Sequence, residues 1–167
     1  MAVLGPPLQL FRILARRPGL ARGVAGWGRY YLSRQSALTI RQRELVIDLT
    51  TALRGADYEF GVHVARFAEK AALTPPQLAS LAGGSPQDSC WTDPADRALL
   101  GAVDALCATG DLDDETWNAL VEAVGDDGAV EVVLVCGWYH AISFAVRALR
   151  LPLEPDTHPI DFFRTAS

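Results

Sequence analysis

The sequence predicts an all-α fold, on three observations. Apolar residues recur at helical spacing through the body of the chain. Cap-forming residues precede those runs and glycines follow them. Val130, Val132, Val133 and Val135 favour a strand by propensity, but no turn residue interrupts the next ten positions, so length argues helix there too.

Residues 1–37 form the least regular part. They hold six arginines (Arg12, Arg16, Arg17, Arg22, Arg29, Arg34) and no Asp or Glu. A mitochondrial transit peptide has that composition, but Pro6, Pro7, Pro18 and several glycines interrupt any long amphipathic helix. An amino-terminal arm packed on the body or on a neighbouring subunit is expected instead. The body, 38–150, opens with Thr39 and Gln42 in a capping-box pattern, followed by Leu45, Val46, Leu49 and Leu53. Gly55 ends this helix, and Asp57 is expected to cap the next, through Phe60, Val64 and Phe67. Thr74 with Pro75 opens a third piece, stopped by Gly83 and Gly84. After a loop, Asp93-Pro94 starts a helix bearing Leu99, Leu100, Val103 and Leu106, closed by Gly110. Asp113 caps another, with Trp117, Leu120, Val121 and Val124 as its stripe and Gly125 as its stop. The last helix, about 129–149, is apolar almost all round and is expected to be wrapped by the others. Residues 151–167 are a tail.

A chain of 167 residues, 50% hydrophobic and 21% charged, can bury one sizeable core. Its net charge of -5 argues against a general nucleic-acid binder, which needs a basic face. Glu131, His140 and Arg147 argue against a membrane span in the last helix. Cys90, Cys107 and Cys136 are odd in number and widely spaced, so no disulfide framework or metal knuckle is expected. Cys107 and Cys136 read as small core residues, and the compartment as reducing and cytoplasmic.

Chemistry concentrates where the first two body helices meet. Glu59 and His63 are four apart, hence one turn apart on one helix face. The short Gly55-Ala56-Asp57 connection should fold the two helices into an antiparallel pair. Asp48 and His63 then lie at similar heights above the turn, with Glu44 about one turn further out. Two or three carboxylates can thus converge on one imidazole, which exchanges protons near neutral pH. Glu-x-x-x-His pairs also occur as solvated ion pairs on helix surfaces, so spacing alone leaves both readings standing. Metal ligation needs more ligands than this motif supplies, and no metal or cofactor is expected.

Leu38-x-x-Arg41-x-Arg43-Glu44-Leu45-Val46-Ile47, Tyr58-Glu59-Phe60-x-x-His63 and Ala71-x-Leu73-Thr74 together resemble the core of the carboxymuconolactone decarboxylase family, whose superfamily includes the AhpD-type alkylhydroperoxidases. Phe11 to Pro18, Trp91, Thr116-Trp117 and Gly137-Trp138-Tyr139 extend the likeness over most of the chain. The resemblance implies an AhpD-like helical bundle assembled as trimers or hexamers, with a central antiparallel helix pair and a buried carboxy-terminal helix. Peroxidase-type members carry Cys-x-x-Cys-x-x-x-His, where this chain has Ala56-Asp57-Tyr58-Glu59 and then His63. Without a thiolate there, peroxidase chemistry is disfavoured. Decarboxylase-type members resemble the chain better, and by that likeness Glu44, Glu59 and His63 form an acid/base set. Tyr58, Asp48, Trp138 and Tyr139 are the candidate substrate contacts. The implied substrate is a small cyclic or aromatic-derived acid or lactone; the alternative is a non-catalytic oligomeric binding protein of the same fold.

Overall fold

A computed structural model describes residues 7–164 and is all-α, with no strand among them. The helices are α1 (Gln9–Leu14), α2 (Pro18–Tyr31), α3 (Ile40–Leu53), α4 (Asp57–Phe67), α5 (Pro75–Gly83), α6 (Pro94–Thr109), α7 (Asp114–Ala148) and α8 (Ile160–Arg164). Their starts follow the cap chemistry. Thr39 accepts from Gln42 N while the Gln42 side chain accepts from Thr39 N, and Thr74 and Gln77 repeat that exchange at α5. Asp93 accepts from Ala95 N, and Asp113 from Thr116 N. At α4 the expectation fails. The N-cap is Ala56, and Asp57, one residue inside the helix, turns its carboxylate outward to accept from Ile160 N at 2.9 Å. The acid that seemed a cap instead ties down the carboxy-terminal tail.

α3 is the central element and touches α4, α5, α6 and α7. Its connection to α4 is tight because Gly55 takes a positive φ of 63°, which a side chain would resist. Leu45, Val46, Phe60, Trp91, Leu99, Leu100, Val103, Leu120, Val132 and Val135 fill the core between these helices. Gly125, with φ 77° and ψ 167°, breaks α7 where the sequence placed a stop, and the chain resumes helix at once. Burial along α7 is one-sided. Val132, Val135, Cys136, Ile142 and Val146 face inward, while Val130, Leu134 and Phe144 stay exposed. By length and composition α7 could cross a membrane; 44% of its most apolar window is buried within the fold.

Two latches hold the arm over this body. Leu10 packs with Tyr58, Val62, Ile142 and Val146, and Trp27 stacks on Trp138 with ring centroids 5.4 Å apart. Glu131 of α7 accepts from Tyr30 Oη, Ser36 Oγ and Ala37 N at 2.6, 2.6 and 3.0 Å. At the other end Glu154 Oε1 accepts from both Tyr58 Oη and Gln9 N at 2.6 Å. The tail itself crosses α4 so closely that a Cβ on Gly61 would stand 2.6 Å from His158 O and 3.2 Å from Thr157 Cβ.

Gly61→Ala should therefore cost about 1–3 kcal/mol, read as a lower urea midpoint, because backbone rather than a flexible side chain must give way. Gly101→Ala in α6, where a Cβ meets nothing within 4 Å, should instead stabilise by about 0.4–1 kcal/mol.

Candidate active site

Glu44 on α3 has no exposed surface, so its carboxylate must find partners inside the protein. Its Oε1 accepts from Arg43 Nε at 2.8 Å and from Nη2 at 2.7 Å. Its Oε2 lies 2.7 Å from Nδ1 of His63 on α4. The other imidazole nitrogen, Nε2, lies 3.1 Å from Tyr139 Oη and 3.5 Å from Glu59 Oε1. Burial alone would lower the His63 pKa, but Glu44 and Glu59 outweigh it and raise it to about 10. His63 is thus an imidazolium at neutral pH, with Nδ1–H donated to Glu44 and Nε2–H facing Tyr139 and Glu59. Burial, with Glu59 and Glu44 close by, pushes the Tyr139 phenol upward, so it stays neutral.

Asp48 lies one turn along α3 and is also buried. Glu44, Asp48 and His63 offer ligand atoms within 4.8 Å of one another, so the carboxylates converge on the imidazole. The pairing order differs from the helix-height estimate, since Glu44 rather than Asp48 holds His63. Neither Asp48 oxygen has a hydrogen-bond partner among the described residues. Burial, and then the Glu44 charge, drive its pKa well above the usual carboxylate range, which makes Asp48 a neutral acid beneath the site. Both Glu44 oxygens are already engaged by Arg43 and His63, which leaves a cation little to bind there.

Glu59, His63 and Tyr139 open onto a cavity of about 280 Å³. Arm residues Leu10, Phe11 and Val24 form one wall, Trp138 and Ile142 another, and Arg29, Arg43 and Arg66 also line it. Trp138 and Tyr139 therefore stand where the sequence placed them. Tyr58 and Asp48 do not: neither is among the lining residues. Tyr58 points away because its hydroxyl is committed to Glu154 and to Leu10 N, 3.2 Å away. Sequence reading missed the three arginines and the arm as a wall. The acid-free arginine content of 1–37 was the available signal for Arg29 alone, since Arg43 and Arg66 lie on α3 and α4. A wider groove of about 750 Å³ between α2 and α7 has fewer resources, since its buried acid, Glu131, is consumed by the arm latch.

Cys107 and Cys136 are core residues with free thiols, as expected, but they are not isolated from each other. Cys107 of α6 and Cys136 of α7, 29 positions apart, bring their sulfurs to 3.9 Å, with His140 Nδ1 a further 3.9 Å from Cys136 Sγ. Helix packing makes this pairing, and linear spacing cannot show it. The hydrogen bond from Cys107 lowers the Cys136 thiol to about 6 despite its burial, and the same bond raises Cys107.

No family model matches this chain, and no curated protein or solved structure matches it either.

The shifted groups set a pH dependence. Unfolded Asp48 loses its proton near ~3.9 and unfolded His63 near ~6.5, whereas the folded state keeps both protons to higher pH. Where the folded state binds more protons, stability falls as pH rises, by at most ~1.4 kcal/mol per pH unit for each group. Thermal melts should show Asp48's contribution falling from about pH 4 upward, and His63's from about 6.5 to about 10. Asp48→Asn should remove the first slope and leave the second. Glu44→Gln should shrink the second and destabilise by about 3–5 kcal/mol at pH 6, because Arg43 then faces no carboxylate and His63 keeps only Glu59.

Proposed function

We propose that the protein is an acid/base enzyme of the carboxymuconolactone decarboxylase-like kind, acting on a small cyclic or aromatic-derived acid or lactone. One observation supports this most: a buried carboxylate–imidazolium pair, Glu44–His63, whose outer nitrogen meets Glu59 and Tyr139 at the wall of a largely apolar cavity. A surface ion pair would have neither the burial nor the cavity. Arginine side chains in an apolar cavity suit a substrate with a flat hydrocarbon body and a carboxylate, since a guanidinium grips a carboxylate through two parallel bonds.

In the proposed reaction the substrate carboxylate leaves as carbon dioxide. The electron pair of the breaking carbon–carbon bond passes into the conjugated ring carbonyl. The carbon that has gained electron density takes a proton from the Glu59–His63 pair, both members of which line the cavity. Glu44 holds the imidazole ring and keeps it charged between turnovers, and neutral Asp48 adds no second negative charge beneath it. Trp138 and Tyr139 bound the ring of the substrate. No step calls for a cofactor. In the same reading the chain works as a cytoplasmic homo-oligomer, trimer or hexamer. The exposed Val130, Leu134 and Phe144 of α7 offer an apolar face for it.

Single-turnover assays on a panel of muconolactone-like acids test the proposal. Glu59→Gln and His63→Ala should each lower kcat at least about 100-fold with the fold intact, in keeping with a lost acid/base group. Phe11→Ala should raise KM more than it lowers kcat, since Phe11 supplies cavity wall and no proton. Turnover that survives both of the first two changes would remove this site from the mechanism. Unchanged binding with no turnover in the wild type would identify a binding protein instead.

A further inference from the structure

The Cys107, Cys136 and His140 side chains form a second cluster, which the acid/base site does not use. Cys107 Sγ, Cys136 Sγ and His140 Nδ1 all lie within 4.8 Å of one another. Cys136 is buried, and Cys107 and His140 are half-buried as residues. Thr50 of α3 donates to Cys136 Sγ at 3.5 Å from beneath. Arg54, one turn further along α3, donates from Nη2 to Cys107 O at 3.3 Å, and its buried Nε has no hydrogen-bond partner among the described residues.

The spacing distinguishes what such a cluster can hold. In a disulfide the sulfurs stand about 2.05 Å apart, roughly half of the 3.9 Å seen here. In a tetrahedral zinc site, bonds of about 2.3 Å to sulfur and about 2.0 Å to nitrogen put two sulfurs about 3.8 Å apart, and a sulfur and a nitrogen about 3.5 Å apart. The two 3.9 Å separations approach both edges of that tetrahedron. Three protein ligands leave the fourth position of a tetrahedral site open. Thiolate and imidazole donors select Zn²⁺ over the hard cations.

We infer that Cys107, Cys136 and His140 form a three-ligand Zn²⁺ site between α6 and α7, with water in the fourth position. On binding, each thiol gives its proton to solvent and the two thiolates balance the dication, so the centre is neutral before Arg54 is counted. His140 moves its proton from Nδ1 to Nε2 and gives up its 3.0 Å contact with Cys136 O to bring the Nδ1 lone pair to the metal. Thr50 supplies the outer hydrogen bond that fixes the Cys136 sulfur. The unpartnered Nε of Arg54 lies on the Cys107 side, where the second thiolate adds negative charge.

Cobalt(II) titration of the reduced full-length chain tests the site, with zinc as competitor. The expected result is an intense thiolate-to-cobalt absorption saturating at one equivalent, abolished by one equivalent of Zn²⁺ and accompanied by proton release. Cys107→Ser and Cys136→Ser should each weaken zinc binding at least about 100-fold, and His140→Ala at least about 10-fold, while Cys90→Ser leaves it unchanged. Circular dichroism confirms folding of each variant, and Cys107→Ser carries the test should buried Cys136 prove intolerant of change. Absence of the cobalt–thiolate band in the folded, reduced chain overturns the proposal. So does its persistence in Cys107→Ser, or its loss in Cys90→Ser.

Discussion

A carboxylate with no exposed surface, placed at the middle of a helical bundle, demands cations from within the protein, and Glu44 receives them on both oxygens. Arg43 precedes it on α3, and its guanidinium curls back onto Oε1 while Nη1 donates to Tyr31 O at the end of α2. His63 reaches Oε2 from α4. Three elements are thereby registered by one buried ion cluster: the arm through Tyr31, α3 through Glu44 and α4 through His63. Hydrophobic packing would allow α3 and α4 to slide by a turn at modest cost. The ion cluster does not, because a slip leaves a charge buried and unpaired. Pairing His63 through Nδ1 also decides that its Nε2 faces the cavity.

The cavity exists because the arm covers it, and the arm is held by acids belonging to other parts of the chain. Glu131 collects three donors from the end of α2 and the segment after it. Glu154 gathers the start of α1 and the Tyr58 hydroxyl. Residues 1–37 carry no acid of their own, and the two carboxylates that hold them, on α7 and in the tail, do so through neutral hydroxyl and backbone amide donors. Burial, with Glu131 close by, raises the Tyr31 phenol to about 12.

Much of this was legible in the sequence because it rests on local rules. Thr39 with Gln42 and Thr74 with Gln77 stand three residues apart, and Gly55 and Gly110 end helices in the left-handed conformation that their lack of a Cβ permits. Glu59 and His63 share a face for the same local reason. Three-dimensional choices were not legible. Asp57 has the chemistry of a cap and serves the tail, because a chain segment 103 positions away offers an amide with no other partner. Tyr58 sits next to Glu59 in sequence, but on a helix a one-residue step turns the side chain by about 100°, away from the cavity and toward Glu154. Cys107 and Cys136 look like isolated core thiols until α6 and α7 pack.

The two clusters share their framework. α3 contributes Glu44 and Asp48 to one and Thr50 and Arg54 to the other. α7 contributes Tyr139 to one and Cys136 and His140 to the other. On a helix with ~3.6 residues per turn, positions 44 and 48 lie on one side and 50 and 54 about 120° around from them, so α3 can serve both clusters from different faces. That arrangement explains why α3 is polar on faces that a core helix would normally keep apolar, with Glu44, Asp48, Thr50 and Thr51 all buried. A helix that only filled space would carry Leu and Ala at these positions. Four buried polar side chains in eight residues make α3 depend for its stability on the neighbours that pack around it.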